Sequence, residues 1–291
     1  MEHPALTPDW GVTAVPRVQS ADARLVNPRK VLVRVSLAVW VQGCAPVEES
    51  LCGGVTAPEE AGIQQLVEPC QACAVVCVGE KAFPFSDELS LPGSKPEGEE
   101  LLKCRASVRC KESKVIGSKL IFKGETQLQL LYRSAAGELC TAEFELPFSQ
   151  IMEVTGAGEE SVCQVRTVLT GLDCSLDGGD GRTVSVTLGL LAQAVVWDTR
   201  TLELLRDVYS TAYPLTAESA SRTLRRMVDR GEREAAAREI LETGQLAQEV
   251  CDAYLTLGEL TQSREGDRLT LTAEANVTVL YRTEDGACDA V

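Results

Sequence analysis

Apolar and polar residues alternate over two stretches of the chain that end alike. Leu120–Cys140 reads LIFKGETQLQLLYRSAAGELC and Leu269–Cys288 reads LTLTAEANVTVLYRTEDGAC, so that Leu131-Tyr132-Arg133 aligns with Leu280-Tyr281-Arg282 and Gly137 with Gly286. A run of period two, a polar turn holding Gly and a further run predict a β-hairpin in each copy. A second pattern repeats around the first. Val31, Val33, Val35 and Leu37 follow the turn pair Asn27-Pro28, and Val184, Val186, Leu188 and Leu190 follow the Asp177–Arg182 turn, with Trp197 echoing Trp40. The two patterns alternate as back, front, back, front. They predict a back half of a unit over 1–82, a complete unit over 83–213 and a front half over 214–291.

Leu101–Val115 also alternates, with Cys104, Ala106, Val108 and Cys110 on one face, and Val162–Leu172 is a Val- and Thr-rich run suited to a strand. Gly43–Cys77 lacks regular periodicity, and Leu91–Glu100 reads as a turn-rich loop. Residues 216–245 differ in texture. They are rich in Ala, Arg, Glu and Leu, with Leu224, Met227 and Val228 near helical spacing, a second segment at Ala235–Leu241, and Gly231 and Gly244 as interruptions. Two short helices are expected there. The fold class is therefore mainly β, with tandem β-sandwich or barrel-like repeat domains and a short helical insertion at 216–245.

Charge and composition narrow the function. A formal charge of -15 disfavours nucleic acid, whose phosphates need clustered Lys and Arg. No apolar run reaches the roughly 18 residues of a membrane-spanning helix, and Met1–Asp9 has no signal-peptide pattern. The single histidine is His3, so nucleophiles that rely on a histidine base lack one. Pairs such as Glu99/Glu100 and Glu159/Glu160 suit solvated turns better than glycoside hydrolysis, given 4% aromatic residues to line a sugar cleft. No catalytic residue and no cofactor is expected.

Twelve cysteines are many for a chain without an export signal, and point to a protein made in the cytosol that ends in a structure oxidised later. Cys70, Cys73 and Cys77, with Cys44 and Cys52 nearby, have thiolate spacing that a soft metal would accept, but the motif is incomplete and disulfides or free thiols fit better. Cys104 and Cys110 are about 20 Å apart on an extended strand, too far to bridge each other. The cross-link candidates are Cys44, Cys52, Cys70, Cys73, Cys77, Cys104, Cys110 and Cys288.

The run KVIGSKLIFKGETQLQLLYR (residues 114–133), the segment AEFELPFSQIMEV that follows the Gly turn and the closing DVYSTAYPL resemble the SPOCS-domain family of endospore-forming bacteria. SipL-type members of that family assemble the spore coat and carry a LysM module, which is not visible here. The resemblance implies a non-enzymatic scaffold of the spore envelope, made in the mother-cell cytoplasm and carried to the spore coat or outer spore surface. Its implied partners are other coat proteins. The alternatives are a self-assembling appendage or filament subunit, and a module that binds or acts on wall polysaccharide. The half units add an expectation of their own: each exposes strand edges and an apolar face, so the two halves should pair, either within one molecule to close a second domain or, the form favoured here, the front half of one copy with the back half of another.

Overall fold

The computed structural model describes residues 7–177, 179–228 and 236–291. Eleven strands make up four antiparallel sheets among these residues, with no closed barrel. The middle of the chain forms a two-layer sandwich. One layer is β4 (Gly98–Ile116), β5 (Lys119–Ser134) and β6 (Leu139–Glu153), and the other is β3 (Ile63–Ser90), β8 (Thr183–Ser210) and β7 (Val162–Leu176), in the order β3-β8-β7.

The core follows from strict alternation on β5 and β8. Leu120, Phe122, Leu128, Leu130 and Tyr132 point inward from β5, and Val184, Val186, Leu188, Leu190, Ala192, Ala194 and Val196 from β8. Phe83, Phe122 and Phe148 meet between the layers with ring centroids 5.5–6.5 Å apart, in the tilted and edge-on geometries that aromatic quadrupoles favour. Gly124 admits no larger residue, since a Cβ there would lie 2.2 Å from the Arg109 carbonyl and 2.5 Å from the Phe148 ring.

Two smaller sheets repeat parts of this sandwich. β9 (Ala247–Glu265), β10 (Arg268–Thr283) and β11 (Cys288–Ala290) follow β4, β5 and the start of β6. Leu102 and Cys251 are each the extra residue of a bulge opposite the Leu-Tyr pair, and both hairpins close alike. Gly137 N–H donates to Ser134 O at 2.8 Å and Gly286 N–H to Thr283 O at 3.0 Å, with φ of 84° and 82° at the two glycines. The expected common strand-turn-strand geometry is present.

β1 (Gly11–Asn27) and β2 (Lys30–Cys44) follow β7 and β8, down to matching register shifts at Val18/Ser20 and Leu169/Gly171. In this register Val31 to Leu37 superpose on Val184 to Leu190, but Trp40 falls on Gln193 and Trp197 on Cys44, so the two tryptophans are not equivalent. The turn before β8 is held by Asp180, whose carboxylate accepts from the Thr183 hydroxyl and from the Arg182 and Thr183 N–H groups. Those bonds favour the anion and draw its pKa down to about 2.

The expectation of helices is corrected. The described residues of 216–245 contain no helix. Val228 and Ile240 are 83% and 94% exposed, and a short helix that buries no face is marginal whatever its composition. Part of that stretch, including Arg230, Arg233 and Gly231, lies outside the described residues, as does His3. The aperiodic Gly43–Cys77 segment enters β3 at Ile63, because the outer half of this long strand pairs with β8 from Thr199 to Ser210 without a covered face to impose alternation.

Candidate assembly surfaces

The end sheets lie against the outer, polar faces of the sandwich. Asp252 on β9 is buried between Arg105 and Lys103 of β4, pairing with the guanidinium and, at 3.3 Å, with the ammonium. Both cations also lie over the Tyr254 ring, at 5.1 and 4.8 Å. Arg105, Gln129 and Glu143 line an open cleft of about 730 Å³ along this joint. On the other layer, the N–H of Ala14 donates to Gln193 Oε1 at 3.1 Å, and Arg166 stacks on Trp40 at 4.5 Å. Gln193 and Arg166 stand on the outer face of the β3-β8-β7 sheet. The order through the molecule is therefore β1-β2, the β8 layer, the β5 layer and the β10 sheet.

Each end sheet meets the sandwich with its polar face, so its apolar face points away. Val184, Val186, Leu188 and Leu190 are at most 2% exposed, while their counterparts Val31, Val33, Val35 and Leu37 are 62, 62, 51 and 61% exposed. Leu120, Phe122 and Leu128 are at most 1% exposed, against 59, 57 and 45% for Leu269, Leu271 and Val277. Leu255 and Leu257 widen the second patch. The two faces that make the core of the sandwich thus recur, open, at opposite ends. The accessible surface is 21021 Å² for 31.3 kDa, against about 12,000 Å² for a compact monomer of that mass.

All twelve cysteines are described, and none is in a disulfide. Cys70, Cys73 and Cys77 are strung along β3, opposite Leu202, Thr199 and Val196, and the extended backbone spreads the outer two over about 23 Å. Among the described residues no three His, Cys, Asp or Glu side chains gather as a metal site. Cys44 ends β2, Cys52 is exposed in the following loop, and Cys110 lies on β4 with its Sγ 3.5 Å from the Glu112 and Lys123 carbonyls. Cys104 does have a partner, Cys174, across the seam where β4 meets β7. Cys288 contacts Cys251 within its own sheet. Neither thiol pair is visible in sequence spacing.

Burial, and the neighbouring thiol of Cys174, push the Cys104 pKa far above the ordinary thiol value; burial raises that of Cys174. A protonated thiol is a poor nucleophile. Iodoacetamide at about pH 8 is therefore expected to modify exposed Cys52 and Cys288 first and Cys104 last, with mass spectrometry of timed digests reading the order. Labelling of Cys104 as fast as Cys52 contradicts a closed β4–β7 seam. Among the carboxylates, Glu100 and Glu99 are 2.8 and 3.9 Å from Arg133, and Glu159 and Glu160 stand in an exposed turn.

Residues 97–177, which run through β4 to β7, match the family model described as SipL, SPOCS domain. Over that stretch the chain is similar to a SPOCS domain. No curated protein and no solved structure matches the chain. The match ties the centre of the chain to a spore-related family. Of the strands in the matched SPOCS stretch, β4, β5 and the start of β6 have counterparts at the C-terminal end of the molecule and β7 has one at the N-terminal end. No helix among the described residues is long and apolar enough to cross a membrane.

Proposed function

We propose that the protein is a non-enzymatic scaffold of the bacterial endospore envelope that associates through its SPOCS-like sheets, with copies of itself and with other coat proteins. The observation that carries this reading is the pair of open apolar faces. Each has a buried counterpart in the central sandwich, so each is shaped to be covered by a sheet of known type. Contiguous apolar patches of this kind are association sites in water. The similarity to the SPOCS domain supplies the spore context, and synthesis in the mother cell followed by deposition on the spore coat suits a chain with twelve thiols.

A fluorescent fusion expressed in the mother cell of a sporulating host tests the location. A ring of signal around the forespore that stays with purified spores is the expected result. Signal that remains diffuse in the mother cell and washes away from spores would overturn the envelope role.

A further inference from the structure

This inference rests on the self-association just proposed and gives it a partner and a geometry. The central sandwich is a face-to-face pairing of a β4-type sheet with a β7-type sheet. The β10 sheet is of the first type and the β1-β2 sheet of the second, and they sit on opposite sides of the sandwich, held there by the Asp252 and Gln193 contacts. While those joints hold, the two open faces of one copy cannot meet each other. We infer that the β10 sheet of one copy closes on the β1-β2 sheet of the next, reproducing between molecules the packing that the sandwich has within one.

Four observations support this register. The first is the open apolar faces themselves, where Val31, Val33, Val35, Leu37, Leu269, Leu271 and Val277 stand at positions whose counterparts are buried in the core. The second is charge. Residues 11–44 carry five Lys or Arg against one Asp, whereas residues 247–290 carry three Arg against nine Asp or Glu. In a chain of net charge -15, a basic N-terminal sheet facing an acidic C-terminal one favours the head-to-tail encounter over pairing of like ends.

The third observation lies at the seam. Where the sandwich sets Cys104 of β4 against Cys174 of β7, the equivalent positions of the end sheets are Ala253 and Ala23, so both members of the pair have changed together to one small residue. The fourth is a free edge. Among the described residues β2 has no strand on the side where β8 pairs with β3, and Ala212-Tyr213-Pro214-Leu215 repeats Ala82-Phe83-Pro84-Phe85 of β3 with Tyr213 and Leu215 exposed. Delivered by the incoming copy, this segment sets Tyr213 opposite Leu37 and Leu215 opposite Val35, a strand addition to the open sheet.

The contact uses different surfaces on the two copies, and its two halves lie on opposite sides of the molecule. Such a heterologous contact propagates instead of closing as a dimer, and here it yields an open stack in which core-type and polar-type interfaces alternate.

The Cys104–Cys174 seam provides the test. Ala23→Cys protein grown in heavy nitrogen is mixed with unlabelled Ala253→Cys protein and treated with copper phenanthroline, which takes two electrons and two protons from a thiol pair to form one disulfide. Digestion and mass spectrometry then identify the linked peptides. The expected result is a heavy–light disulfide joining positions 23 and 253, absent from either variant alone, and a covalent ladder from the chain carrying both substitutions. A double-substituted chain that links positions 23 and 253 only within one molecule overturns the intermolecular contact. So does the lack of any 23–253 link when Cys104 and Cys174 of the same sample become linked. These results are independent of the forespore signal, so failure of the envelope role and failure of the contact are separable.

Discussion

Phe122→Ala is expected to lower the stability of the central sandwich by about 3–5 kcal/mol, the usual cost of emptying a buried aromatic site. Leu271→Ala, at the same position of the repeat, is expected to change the stability of the isolated chain by no more than about 0.5 kcal/mol. The two side chains occupy equivalent places on equivalent strands, but one is 0% and the other 57% exposed. Any cost at Leu271 belongs to assembly. If the β10 sheet is buried between copies, losing a leucine there removes about 2 kcal/mol or more, so the dissociation constant should rise roughly 30-fold. Urea denaturation of dilute protein reads the first quantity and sedimentation equilibrium the second. Equal destabilisation of the dilute chain by both variants would mean that the β10 face is covered within one molecule.

The repeat was legible because alternation survives wherever a strand has one covered face. Leu120 to Tyr132 and Leu269 to Tyr281 announce the same hairpin, and Val31 to Leu37 announce the partner of Val184 to Leu190. The pattern reports which face a strand is built to bury, whether or not the chain itself covers it. Legibility failed for other reasons elsewhere. From Ile63 to Cys73, β3 extends past the core, so Gln, Cys and Pro interrupt its pattern without penalty. The described residues of 216–245 have helical composition, but Val228 and Ile240 stand exposed and give a helix no well-buried face. The Cys104–Cys174 contact joins two sheets at their edges, and no local spacing encodes such a seam. Asp252 was missed because a single Asp in an alternating strand reads as solvent-facing. Its burial depends on Lys103 and Arg105, far away in the sequence.

That ion cluster yields the second large effect, and the two ways of breaking it are not equivalent. The Asp252 side chain is 4% exposed, while Lys103 and Arg105 retain 42% and 27% of theirs. Asp252→Asn leaves two cations that can turn to water and a neutral amide that still accepts a hydrogen bond, a loss of about 1–2 kcal/mol. Replacing both Lys103 and Arg105 by Met strands a carboxylate against the β4–β5 sheet without a counter-charge, which costs about 3–5 kcal/mol. The damage should be local, because the core of the sandwich touches neither group. Hydrogen exchange is expected to show β9 and β10 losing protection in the double variant while β5 and β8 keep theirs. Loss of protection in β5 to the same extent would mean that the back-to-back joint and the sandwich unfold as one unit. If they do come apart separately, the joint fixes the direction of the C-terminal apolar face. The double variant should then still form the 23–253 cross-link, but its ladder should become shorter, because each added copy is aimed less accurately than the last.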